Sequence, residues 1–243
     1  MDDARIKERV RARYGGIAAA GEASCRAPAV APCCGADVAD TAADKARRMG
    51  YSEAELAAAP DGANLGLGCG NPQAIAAMRP GETVVDLGSG AGFDCFLAAR
   101  QVGERGHVIG VDMTREMLQK ARDNAARIGA RNVEFRFGEL EHLPIADNAA
   151  DVVISNCVIN LVPDKAQVFR EAFRVLKRGG RLAVSDIVNI AALPPELQAD
   201  PELLCGCVAG AAPAEQIEHW LAAAGFADVR ITLKPESREL IAT

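Results

Sequence analysis

The chain of 243 residues contains eight cysteines, at positions 25, 33, 34, 69, 95, 157, 205 and 207, and these are its most reactive side chains. No two of them form Cys-x-x-Cys, so the spacing of a zinc ribbon or a thioredoxin site is absent. Any shared thiol site must be assembled by the fold from distant segments. Cys157 ends the apolar run "ADVVISN", Cys69 sits in the glycine-rich "PDGANLGLGCGNP", and Cys205 and Cys207 lie in a late segment. Cys69 just precedes Asn71-Pro72, a helix start, where the partial positive charge of the helix lowers a thiol's pKa. Thiolates converging from these segments make a soft pocket that selects thiophilic elements. Cys95, inside a helix beside Phe93 and Phe96, reads as core, and Cys25 as a loop thiol. The three histidines, His107, His142 and His219, read as structural.

The elements that must position these thiols follow a regular order. From Thr83 onward, strands "TVVDL", "HVIGVD", "VEFRF", "DVVISN" and "RLAVSDIV" alternate with helices "FDCFLAARQV", "REMLQKARDNAARIG" and "PDKAQVFREAFRVL", with a turn at Gly179-Gly180 before the fifth strand. This βαβ pattern predicts a mostly parallel sheet covered by helices on both faces. Before it, a helix is expected over the first 20 or so residues, ending near Gly15-Gly16. A Pro/Gly/Cys-rich loop follows over 21–40, then a short helix opened by a Ser52/Glu55 capping box. After the fifth strand come a short segment, a helix and a last strand, "ADVRITLK". The chain stops in "ESRELIAT", still amphipathic, which predicts a longer natural C-terminus.

Ligands of open α/β sheets gather at the carboxyl ends of strands. There, "VVDLGSGAG" joins strand to helix, with Gly88, Gly90 and Gly92 freeing the backbone for close approach to a ligand. Asp112 ends the next strand, placed to take both hydroxyls of a ribose. The spacing is neither that of a dinucleotide fingerprint nor that of a P-loop. Asp86, just before the first glycines, suits a cationic ligand rather than a pyrophosphate.

"DLGSGAG" and "GVDMT" resemble the first motifs of the class I S-adenosylmethionine-dependent methyltransferases. The resemblance implies a Rossmann-like sheet of seven strands. It sets the glycine loop along the methionine and ribose, Asp112 on the ribose, Met113 on the adenine, Glu139 and Leu140 at the adenine edge, and Asn156 and Cys157 near the transferable methyl. Zinc beside such a donor would have little to do, and its structural sites usually take four ligands. A trivalent metalloid on three sulfurs keeps a lone pair able to attack the methyl. "LGLGCGNP", "ISNCVINLVPDK" and "CVAGA" resemble the arsenite S-adenosylmethionine methyltransferases in particular. That resemblance implies that Cys157 and Cys207 bind arsenic(III), with Cys69 as third thiol, and that Cys33 or Cys34 joins the site as further ligand and redox partner. The implied substrate is arsenite or its thiol adducts, and thioredoxin or glutathione is the implied source of electrons. Two rival readings are a methyltransferase of an organic small molecule and a thiol-based metalloid-binding protein without catalysis.

The expected division is residues 1–72 as N-terminal helices with a cysteine-bearing loop, 73–190 as the cofactor-binding core, and 191–243 as the arsenic-binding segment with the last helix and strand. A net charge of −6 argues against a nucleic-acid partner, which needs a basic face. No apolar run is long enough for a membrane span and the start is densely charged, so a cytoplasmic protein is expected.

Overall fold

The computed structural model describes residues 2–20, 41–191, 193–198 and 200–234. Its centre is a five-stranded sheet: β1 (Thr83–Leu87), β2 (His107–Asp112), β3 (Val133–Phe137), β4 (Ala150–Asn156) and β5 (Leu176–Ser185). The order is β3-β2-β1-β4-β5 and every pairing is parallel. Strand alternation divides the core cleanly. Val85, Ile109 and Val153 face the helices α7 (Lys165–Val175) and α10 (Ala214–Ala224). Their neighbours Val84, Val108 and Val152 face α5 (Phe93–Val102) and α6 (Arg115–Ile128). Both faces of each central strand are buried, as a parallel sheet requires.

The expected seven-stranded sheet is corrected to five strands. Two further strands, β6 (Val188–Asn189) and β7 (Ala212–Pro213), form a separate two-residue parallel ribbon. Residues 227–234, expected as the last strand, pair with nothing among the described residues and are largely exposed. Their alternation is a necessary feature of a strand, but the backbone gains from extension only where a partner edge receives it. At the other end of the sheet, β5 starts earlier than expected. Ala150 opposes Leu176 and Val152 opposes Arg181, so the strand bulges around Gly179 (φ 77°), where a turn was expected.

The remaining helices are α1 (Asp3–Ala20), α2 (Ala42–Arg48), α3 (Glu53–Ala58), α4 (Gln73–Ala76), α8 (Pro195–Gln198) and α9 (Pro201–Cys205), with a 3₁₀ turn at Ile159–Leu161. The helix α1 runs through Gly15-Gly16 rather than ending there, because Gly15 gives room to α6. A Cβ on Gly15 would lie 3.2 Å from a Glu116 carboxylate oxygen. The capping box at α3 is formed as expected, Ser52 and Glu55 each accepting the other's backbone N–H. No described helix is long and apolar enough to cross a membrane.

Candidate active site

Strand order reverses between β1 and β4, and a crevice opens at their carboxyl ends. A cavity of about 1150 Å³, including its mouth, occupies it. Asp86, Gly88, Gly90, Asp112, Met113, Leu140, Asn156 and Cys157 of the expected residues line this cavity. Gly92 does not; it starts α5 at φ 91°. Glu139 also lies outside, its carboxylate held by Lys7 (2.6 Å) and Arg11 (2.5 Å) of α1.

The glycine loop is shaped by close approach as well as by dihedral. Gly88 has φ 70°, and a Cβ there would sit 2.4 Å from a Val158 methyl. Asp112 is fixed by two amides: the N–H of Gly90 donates to one carboxylate oxygen (2.9 Å) and that of Thr114 to the other (2.7 Å). Burial raises its pKa against these bonds. Burial likewise drives Asp86 well above the ordinary carboxylate range, with the charge of Asp94 adding to it. Asp94 is raised by burial despite accepting from Gln73 Nε2 (2.9 Å), Tyr51 OH (2.7 Å) and Asn156 Nδ2 (3.1 Å). Burial raises all three acids, a cost that a positively charged ligand in the cavity would offset.

The thiols gather at the same edge. Cys157 follows the tip of β4 with φ 57°, a left-handed conformation unusual for a residue with a side chain. Its N–H donates to the Ser185 carbonyl at the tip of β5 (2.8 Å). Its side chain meets those of Cys69 and Cys207. Cys207 is also left-handed, at φ 65°, and its thiol donates to the Cys157 carbonyl (2.9 Å). The Cys69 loop is pinned by Asn156, whose Oδ1 accepts the Cys69 N–H (3.0 Å) and whose Nδ2 donates to the Gly70 carbonyl (2.9 Å). The protonated forms are favoured: Cys69 is raised by burial against a hydrogen bond with Cys157, not lowered as its place before a helix start predicts; Cys157 is pushed well above the usual thiol range by Cys69 and burial, against a hydrogen bond with Cys207, and Cys207 by Cys157 and burial. Cys205 is buried in the same cluster, its carbonyl accepting from Tyr14 OH (3.2 Å). Cys95 is fully buried, as expected for core, but its thiol also donates to Asp86 (3.2 Å). Cys25, Cys33 and Cys34 lie outside the described residues. None of the three histidines lines the cavity.

Several residues of the site escape a reading by motif. Asp186, at the tip of β5, places a carboxylate oxygen with the Cys69 and Cys157 sulfurs, all within 4.8 Å of one another. Burial lifts its pKa to about 6, opposed by N–H donors of Ile187, Asn160 and Ile159. Lys7, Val10 and Tyr14 of α1 cover the cavity from above. The signal available for Asp186 was its place at a strand tip in "VSDIV"; for α1 only the apolar Val10 and Tyr14 hinted at a buried face.

Comparison with known proteins gives a consistent picture. A family model described as "Methyltransferase domain" matches residues 78–225. An arsenite methyltransferase of Halobacterium salinarum is 53% identical over 245 residues, covering 99% of this chain and 62% of that protein. A human arsenite methyltransferase is 46% identical over 137 residues, 53% of this chain and 36% of that protein. This chain therefore spans less than two thirds of the length of either relative. Among solved structures, an arsenic(III) S-adenosylmethionine methyltransferase from Chlamydomonas reinhardtii aligns at a TM-score of 0.62 with 36% identity, over 84% of this chain and 70% of that one.

Proposed function

The chain belongs to the class I S-adenosylmethionine-dependent methyltransferases, and from that premise we propose that it methylates trivalent arsenic held on its own thiols. The observation that carries this reading is the meeting of the Cys69, Cys157 and Cys207 side chains at the strand edge where the glycine loop and Asp112 open. The names of the relatives from Halobacterium and Chlamydomonas point the same way.

The residues present fit S-adenosylmethionine. Its sulfonium and ammonium groups match the buried acids Asp86 and Asp94. The ribose suits Asp112 at the end of β2, the adenine suits Met113 and Leu140, and Gly90, where an added Cβ would meet nothing nearer than Met117 Sδ at 3.9 Å, leaves the loop backbone bare. When bound, this cofactor supplies an electrophilic methyl to the arsenic lone pair. The chain's own contribution is positioning. Cys69, Cys157 and Cys207 displace the hydroxyl or thiol ligands of arsenite, pass their protons to those leaving groups, and fix arsenic at the cavity floor. Oriented reactants of this kind save about 7–11 kcal/mol of barrier. Methylation takes arsenic formally from +III to +V. Two electrons from a protein dithiol return it, leaving a disulfide, and Cys69 with Cys33 or Cys34 is our choice of pair. Thioredoxin or glutathione then reduces that disulfide. In this scheme residues 1–72 supply cover and the redox thiol, 73–190 the cofactor core, and 191–243 the last arsenic ligand.

The test is turnover with arsenite, S-adenosylmethionine and a thiol reductant, with arsenic species separated and quantified. Cys157→Ser should lose methylation by at least a hundredfold and keep its cofactor affinity by calorimetry. Equal turnover by the variant would sink the reading and favour an organic acceptor.

A further inference from the structure

The tightest group of ligating atoms among the described residues is not all sulfur. The Sγ atoms of Cys69 and Cys157 and an oxygen of Asp186 lie mutually within 4.8 Å, and the Cys207 thiol, outside that group, donates to the Cys157 carbonyl (2.9 Å). Arsenic(III) on three thiolates has no need of that carboxylate. Yet Asp186 is aimed with care. Asn160 Nδ2 (2.8 Å) and the Ile187 N–H (2.9 Å) donate to Oδ1, and the Asn160 N–H donates to Oδ2 (3.3 Å). Carboxylates that ligate metals are held by outer donors in this way.

Three thiolates alone are one ligand short of the usual structural zinc shell, and Asp186 supplies the fourth. Tetrahedral zinc takes sulfur at about 2.3 Å and carboxylate oxygen at about 2.0–2.2 Å, which places neighbouring ligand atoms somewhat closer than the 4.8 Å limit observed. Side-chain rotation closes that difference. We propose that this pocket is also a binding site for zinc, with Cys69, Cys157 and Asp186 as ligands and Cys207 completing the shell once its thiol turns from the Cys157 carbonyl. Each thiol gives its proton to solvent as its bond to zinc forms, and no electron moves. Lys165, whose Nζ donates to the Val162 carbonyl (2.9 Å), lies in the field of Asp186 and Cys207 and offsets their charge. Zinc and a thiol-bound metalloid claim the same sulfurs, so each excludes the other. The site stands on its donor set and does not depend on arsenic being the substrate.

Anaerobic titration of the reduced full chain with Co²⁺, a coloured stand-in for zinc, tests this. One Co²⁺ per chain should bind with thiolate-to-cobalt charge-transfer absorption and the intense visible bands of a tetrahedral ion. Stoichiometric Zn²⁺ should bleach both. Asp186→Asn should lose at least tenfold in Co²⁺ affinity relative to its arsenite affinity. X-ray absorption at the zinc edge of the wild type should give three sulfurs and one oxygen. No tetrahedral bands in the wild type, unchanged affinity in Asp186→Asn, or an all-sulfur shell would overturn the proposal. Tetrahedral cobalt in a wild type that fails to capture arsenite would support the zinc site and remove the arsenic reading.

Discussion

Asn156 is the residue on which the two halves of the site meet. Its Oδ1 accepts the Cys69 N–H, while its Nδ2 faces the Gly70 carbonyl, Asp94 and Tyr51. Replacing it with alanine leaves buried donors and acceptors unpaired, each costing about 1–3 kcal/mol. Asn156→Ala should lower stability by about that amount in denaturant titration and weaken arsenite capture, because the Cys69 loop loses its anchor. Asp186 gives a pH signature. Its folded pKa of about 6 lies above the ordinary 3.8, mainly through burial. Its contribution to stability is therefore full below about pH 4 and is lost as pH rises through 6. Wild type should lose stability relative to Asp186→Asn across that window, as read by midpoints at each pH; parallel curves would count against it. Cys69, Cys157 and Asp112 were legible as residues of interest because reactive types stood at strand tips and loops. Asp186 and Asp94 were not: Asp186 follows a strand with no glycine loop beside it, Asp94 reads as a charge in the first turn of a helix, and only the tertiary fold buries them.

At the scale of elements, α1 is the part of the site most remote in sequence. Lys7 reaches Glu139 (2.6 Å) and Glu141 (2.9 Å), Arg11 reaches Glu139, and Val10 packs into the cysteine cluster. The helix thus closes the cavity through a few charged contacts that can be reversed. Lys7→Glu sets three carboxylates together and should speed cofactor dissociation several-fold in stopped-flow measurements; an unchanged rate would show that α1 does not gate the cavity. The five parallel strands and their helices were legible because short strand-like runs alternate with helical segments, and Gly103 and Gly129 stop α5 and α6. The end of α1 was not, because a mid-helix glycine signals a stop or a close approach with equal force, and the neighbour Glu116 that decides between them is 101 positions away. The supposed last strand failed for the related reason that alternation does not name a partner.

Over the whole molecule, the parallel order puts the switch between β1 and β4, and that single crossing brings residues 69, 86, 112, 157, 186 and 207 to one edge. Motif reading could place each at a strand end; it could not say which thiols touch, since that depends on how the segments after β4 and β5 fold back. The backbone at Cys157 (φ 57°) and Cys207 (φ 65°) carries a further consequence. A side chain in that conformation costs about 1–3 kcal/mol, which glycine avoids at an entropic cost of about 0.5–1 kcal/mol. The lost thiol packing takes up the remainder. Cys157→Gly and Cys207→Gly should stay within about 1 kcal/mol of wild type in chemical denaturation while losing metalloid binding; a loss beyond about 3 kcal/mol would mark these thiols as core filler. A thermal screen is then blind at the two positions. On stability alone glycine would serve about as well at both positions, so the fold itself supplies no reason for the thiols.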